Sequence, residues 1–181
     1  MKKIDSVAAF RALRSALNGQ SVGFVPTMGA LHIGHASLID DSVRCNDITA
    51  LSIYINPTQF DNANDLAKYP ETLAEDLELA EKLGVDYVFM PTYQQMYPDN
   101  FSYQVEETKL SHQLCGAHRE GHFTGVLTVV MKLLNIVKPD RAYFGEKDYQ
   151  QFELIKGKLL GPFSGYILKV DGVVAEVVER Q

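Results

Sequence analysis

His32 and His35 stand three residues apart with Gly34 between them, a spacing that brings two imidazoles to one face of a helical turn. Gly34 carries no side chain, so a ligand can approach the backbone closely there. A helix that starts at this point also offers free N–H groups and the positive end of its dipole to an anion. Two imidazoles can donate hydrogen bonds to phosphate oxygens as charge builds up during a transfer. The pattern therefore points to phosphate chemistry. Zinc is the competing chemistry, but the helical zinc motif spaces its histidines by about four, and this pair has no Cys or carboxylate partner in its motif. No metal site is assigned.

Residues of these types need a scaffold that aims them. Val7, Phe10, Leu13 and Leu17 fall at helical spacing and predict a helix over about 5–18, stopped by Asn18-Gly19. Val22–Val25 is a short apolar run before Pro26 and reads as a buried strand. Ala36, Leu38, Ile39 and Val43 predict a second helix, and Ile48–Ile55 a second strand. Leu73, Leu77, Ala80 and Leu83 predict a helix closed by Gly84, followed by a strand over Asp86–Met90. After an irregular stretch from Thr92 to about Glu120, residues 123–137 form a long apolar helix, 141–144 a strand and 150–160 a helix. Strands alternating with helices predict βαβ units and a parallel sheet. Continuous apolar strands predict helices on both faces, and right-handed crossovers make the sheet doubly wound. Ligands bind outside the carboxyl ends of such strands. The loops there are Pro26–His35, Asn56–Phe60, Pro91–Tyr97 and Gly145–Gln151; the first, second and fourth are rich in Gly, His, Asn, Gln, Lys and Asp.

Bulk properties narrow the class. The chain has 181 residues, 46% hydrophobic and 22% charged, with a net charge of -6. That is an ordinary globular composition for one domain with a core, and its acidic balance argues against nucleic acid as a partner. Cys45 and Cys115 stand far apart in no metal-like spacing, which suits a reducing cytoplasm better than a disulfide framework. The opening Met1-Lys2-Lys3-Ile4-Asp5 has no signal-like apolar run, and no stretch is apolar for long enough to span a bilayer. A cytoplasmic protein without a membrane partner is expected.

The segment Val25-Pro26-Thr27-Met28-Gly29-Ala30-Leu31-His32-Ile33-Gly34-His35 resembles the signature of the HIGH-type nucleotidyltransferases, and within them the pantoate–beta-alanine ligase family. Three further motifs carry the same resemblance in order: Ile55-Asn56-Pro57-Thr58-Gln59-Phe60, Gly121-His122-Phe123-Thr124-Gly125-Val126 and Phe144-Gly145-Glu146-Lys147-Asp148-Tyr149-Gln150-Gln151. The resemblance covers about residues 5–156. It implies a Rossmann-like nucleotide-binding domain over 1–156 and ATP-dependent condensation of pantoate with beta-alanine through a pantoyl adenylate. It also implies Mg²⁺ with the ATP, and a homodimer. By the same resemblance Met28, Gly29, Ala30, Leu31, His32, Ile33, Gly34 and His35 line the ATP site. His35 is the proton donor and His32 helps hold the phosphates. Gly145, Glu146, Lys147 and Asp148 contact the nucleotide, with Lys147 as a point charge on phosphate and Asp148 on ribose or a hydrated Mg²⁺. Gln59 and Gln151 bind pantoate, their amides offering donor and acceptor together, with Asn56, Arg119 and His122 also on the substrate side.

The chain departs from the family pattern twice. Arg119-Glu120-Gly121-His122-Phe123 has Glu where the family has Pro. After the Gln151 helix the family continues with a Ser-Ser-Arg-Asn nucleotide loop and a smaller domain, whereas residues 157–181 contain neither and read as a β-hairpin with an Asp171-Gly172 turn. A strand of that hairpin could replace the missing family strand, and weak or absent ligase activity is expected of this chain alone. Two other functions compete. A cytidylyltransferase would share the histidine motif but gives no reason for the Gln59 and Gln151 motifs. A non-catalytic nucleotide-binding module would fit the missing loop.

Overall fold

The structure, a computed structural model, describes residues 1–155 and the strands Phe163–Val170 and Val173–Arg180. Seven strands form one sheet: β1 (Lys2–Ile4), β2 (Val22–Thr27), β3 (Ile48–Ile53), β4 (Tyr87–Phe89), β5 (Arg141–Gly145), β6 (Phe163–Val170) and β7 (Val173–Arg180). Their order is β1-β4-β3-β2-β5-β7-β6. The first five are parallel, while β7 runs antiparallel to β5 and β6 antiparallel to β7. The helices are α1 (Val7–Ala16), α2 (Ile33–Cys45), α3 (Ala63–Ala67), α4 (Leu73–Lys82), α5 (Tyr93–Met96), α6 (His122–Val137) and α7 (Tyr149–Leu154).

The expected α/β doubly wound sheet is present, with two additions. β1 was not anticipated: it is three residues long and carries Lys2 and Lys3 on the sheet edge, where charge discourages edge-to-edge pairing. The predicted hairpin joins the sheet beside β5 rather than standing apart. Its Asp171-Gly172 turn, and the predicted helix beyond residue 155, lie outside the described residues.

Each central strand divides its side chains between two cores, as a period of two requires. Phe24, Ala50, Phe89, Ala142 and Phe144 join the core with α1 and α6. Their neighbours Val25, Leu51, Val88 and Tyr143 join Leu38 and Ile39 of α2 and Ala80 of α4 on the other face. This is why the strands read as continuous apolar runs.

From β2 the chain winds outward through β3 and β4, whereas β5 lies on the other side of β2. The reversal creates a crevice between the carboxyl ends of β2 and β5. Pro26 helps to open it. Tyr54 N–H donates to Thr27 O (3.1 Å), so the odd residues at the end of β2 bond to β3 and Pro26 faces β5. Proline has no N–H to give that ladder, and the β2–β5 register covers only Gly23 and Phe24. The two strands part where the site begins.

Candidate active site

The crevice leads into a cavity of about 1200 Å³. Its wall brings together His32, His35, Gln59, Arg119, His122, Lys147 and Gln151, which come from four separate segments of sequence. Met28, Ile33, Gly34, Asn56, Gly145 and Asp148 also line it. Val126, Val129, Val130 and Leu133 of α6 give it an apolar side. Of the segment Met28–His35, Gly29, Ala30 and Leu31 do not line this cavity. The expectation for the Glu146 side chain lies outside the described residues.

The reason lies in how the loop is held. Thr27 Oγ1 donates to Ser52 O (2.7 Å) and accepts the Gly29 N–H (3.1 Å). Gly29 and Ala30 are both left-handed, with φ of 84° and 51°. The turn sends the Ala30 and Leu31 N–H groups into the buried Asp76 carboxylate at 2.9 and 2.7 Å. That faces them away from the cavity and hands the chain to α2 with the two histidines at its start. Asp76 was missed by sequence reading, since it sits in the first turn of α4 like any acidic residue favoured there.

His32 is the N-cap of α2. Its Nδ1 accepts the Gly34 N–H (3.0 Å), and His35 Nδ1 accepts the His32 N–H (3.3 Å). The rings lie 4.2 Å apart between centroids. One of the expected free N–H groups at the helix start is taken up within the cap, the Gly34 N–H going to His32. The mutual cap does something more specific. With each Nδ1 accepting, the neutral rings carry their protons on Nε2. A Cβ at Gly34 would come within 2.9 Å of His32 Cε1, so a larger residue here would displace the capping ring.

Burial, with His32 as the next cause, lowers His35 to about 4, against an opposing pull from Asp76. A histidine in the unfolded chain titrates near 6.5. Between those values the unfolded chain takes up a proton that the native site refuses, so this group lowers stability as pH falls through the window and leaves it unchanged above. His122 is lowered too, chiefly by burial, and acts in the same direction. The melting temperature is expected to fall between about pH 6.5 and about 4, more steeply in the native protein than in His35→Gln. Parallel slopes in calorimetric scans across that range would reject the assignment.

The substrate-side amides are arranged by a second network. Asn56 is buried, and its amide is fully engaged. Nδ2 donates to Gln59 Oε1 (3.1 Å) and Gly125 O (3.2 Å), while Oδ1 accepts from Tyr97 (2.8 Å) and Thr58 (3.0 Å). Its effect on a ligand is thus through Gln59, which lines the cavity with its Oε1 fixed. His122 lies buried beside this turn and bonds Gln59 O through Nδ1 (2.7 Å). A carbonyl only accepts, so Nδ1 carries the proton and Nε2 accepts from Arg119 (3.1 Å). Arg119 is held over the cavity by this ring and approaches Asp61 at 4.0 Å. On the far wall Gln150, not singled out from sequence, ties Leu110 O, Gln113 O and Cys115 N–H together. That leaves Gln151, its neighbour on α7, on the cavity wall.

Among the described residues no cluster of three His, Cys, Asp or Glu could hold a metal ion by itself. A magnesium ion carried on a polyphosphate needs only one or two protein carboxylates, and Asp148 at the cavity fits that lesser demand. No described helix is long and apolar enough to cross a membrane. Cys45 and Cys115 are free and exposed.

Comparison with known proteins agrees with this geometry. The family model described as pantoate-beta-alanine ligase matches residues 2–160. Pantothenate synthetase of Bdellovibrio bacteriovorus is 56% identical over 154 residues, covering 85% of this chain and 61% of its own. That of Coxiella burnetii is 53% identical over 156 residues, covering 86% and 60%. Among solved structures, the Francisella tularensis pantoate-beta-alanine ligase complexed with beta-gamma ATP and beta-alanine superposes with a TM-score of 0.83 at 46% identity. It covers 86% of this chain and 60% of that one. Pantothenate synthetase from Thermus thermophilus gives 0.79 at 45% identity, covering 86% and 55%. The chain spans about three fifths of the length of the curated relatives it matches. A family model matched over most of the chain, and relatives more than half identical to it, leave one assignment: this chain belongs to the pantoate–beta-alanine ligase family.

Proposed function

We propose that this chain is the nucleotide-binding part of a pantothenate synthetase, which joins pantoate to beta-alanine at the expense of ATP. The observation that carries the reading is one cavity whose wall holds two neutral Nε2–H imidazoles and Lys147, together with the Gln59 and Gln151 amides and an apolar α6 face. The first set suits a triphosphate, the second a hydroxylated acid with a branched hydrocarbon centre.

In the first step a pantoate carboxylate oxygen attacks the α-phosphorus and the bond to the bridging β-phosphate oxygen breaks, releasing pyrophosphate. His35 and His32 donate from Nε2 to phosphate oxygens as charge develops, and Lys147 adds a mobile positive charge. Gln59, Gln151 and the side of α6 hold pantoate in line, which is most of what such a transfer asks of a protein. The beta-alanine amine then attacks the acyl carbon, the carbon–oxygen bond to AMP breaks and the amine gives up a proton. Arg119, fixed by His122, is a cation for the incoming carboxylate. Asn56 serves by aiming Gln59. When bound, Mg²⁺ would neutralise phosphate charge, with Asp148 meeting its water shell. The setting is a reducing cytoplasm, supported by two exposed unpaired thiols, and the homodimer rests on family resemblance alone.

The test follows pyrophosphate from the purified chain with ATP, Mg²⁺ and pantoate, then AMP on adding beta-alanine. Pantoate-dependent pyrophosphate supports the ligase reading. Calorimetric ATP binding without turnover narrows it to nucleotide binding by this part, and neither signal sinks it.

A further inference from the structure

Asp76 lies outside every loop that the sequence motifs single out, yet the histidine turn is built on it. We propose that Asp76 is a positioning residue, whose carboxylate pins the Gly29–Leu31 turn so that His32 and His35 start α2 facing the cavity. The inference rests on reading that cavity as the adenylation site.

Both carboxylate oxygens are occupied. Oδ2 accepts from Ala30 N–H (2.9 Å) and from Thr72 Oγ1 (3.2 Å), and Oδ1 accepts from Leu31 N–H (2.7 Å). A carboxylate accepts at both ends, whereas an amide of the same shape would turn an NH₂ toward one of the two backbone donors. Ala30 is an L residue in the left-handed region, a conformation that persists only when its surroundings impose it. Gly29 is fitted to the same carboxylate, since a Cβ there would lie 3.0 Å from Asp76 Oδ2 and 3.2 Å from Ile53 Cγ2. Asp76 is 3% exposed, and the donors it holds precede the His32 N-cap directly. Both of its oxygens are engaged by donors inside the protein. It holds the backbone from which the imidazoles project, and its charge reaches His35 to oppose the effect of burial.

The decisive experiment compares native protein with Asp76→Asn, Asp76→Glu and Thr72→Val by ring ¹⁵N–¹H correlation spectra of the histidines at neutral pH. ATP affinity by calorimetry and KM for pantoate are measured beside them. In the native protein His32 and His35 should show Nε2–H tautomers and His122 an Nδ1–H tautomer. In Asp76→Asn the first two signatures should average between tautomers while that of His122 stays. ATP binding should weaken on the order of tenfold to a hundredfold, the worth of a lost charge-assisted hydrogen bond, with KM for pantoate unchanged and partial recovery in Asp76→Glu. A merely structural role would move all three rings together, or none. Native ring signatures and native ATP affinity in folded Asp76→Asn would overturn the proposal. If Asp76→Asn does not fold, Thr72→Val decides: a partial shift of the His32 and His35 signatures supports the role, and unchanged signatures overturn it. If the native chain itself fails to bind ATP, the adenylation reading falls, and the ring spectra still decide what Asp76 does.

Discussion

His35→Ala is expected to cut pantoate-dependent pyrophosphate release by roughly 10²–10³-fold, the usual loss when one preorganised donor to developing charge is removed. The ring is suited to that role by position and by protonation. Its Nδ1 accepts the His32 N–H, so the neutral ring offers Nε2–H. Its lowering to about 4 keeps it neutral at the pH of the cell. The loss should fall on kcat more than on ATP affinity, because the donor matters most where charge builds in the transition state. Stability should suffer less. The substitution removes one acceptor from the α2 cap, a change that typically costs about 1 kcal/mol, while His32 still caps Gly34. A variant that keeps pyrophosphate release within a few fold of native would remove His35 from the chemistry. His32→Ala should combine a smaller rate loss with a larger stability loss, since His32 is itself the N-cap.

How much of this was legible in the sequence depends on which interactions are local. The central strands and the helices α1, α2, α4, α6 and α7 followed from apolar runs and helical spacing, because each central strand feeds two cores and each of these helices one. The short α3 and α5 did not. His32, His35, Gln59, Lys147 and Gln151 were legible from their motifs, and the topology gathers them at one crevice. The supports were not legible. Asp76 acts across 46 residues and Tyr97 across 41 to reach their partners, and nothing in the local pattern distinguishes a buried Asp in a first helical turn from a solvated one. Asn56 was legible as a site residue, but its engagement with Gln59, Gly125, Thr58 and Tyr97 needs the fold. β1 escaped because three residues with two lysines have no period to detect. The end of α6 at Val137 was legible, since the apolar run stops before Lys138-Pro139. Lys138 takes the left-handed position that a glycine usually marks.

Gly125→Ala should destabilise the protein and weaken pantoate binding while leaving ATP affinity close to native. In an exposed helix this substitution would stabilise by nearly 1 kcal/mol. Here a Cβ would lie 2.2 Å from Thr58 O, 2.5 Å from Thr58 C and 2.7 Å from Gln59 Cα. These are backbone atoms, so no rotamer change relieves the overlap and α6 must part from the Pro57–Gln59 turn. Overpacking of this kind costs about 1–3 kcal/mol. The separation also strains two buried hydrogen bonds that tie helix to turn, Asn56 Nδ2 to Gly125 O and His122 Nδ1 to Gln59 O. Each left unmade adds roughly 1–3 kcal/mol. The overlap therefore outweighs the gain in helix propensity, and the melting temperature should drop by several degrees. The functional consequence is selective because the Gln59 amide is aimed by that same turn, whereas His32, His35 and Lys147 are carried by α2 and the loop after β5. KM for pantoate should rise about tenfold or more, in keeping with the sensitivity of such sites to ångström-scale displacement. Native stability and native pantoate KM in the alanine variant would mean that helix and turn are not in contact as described.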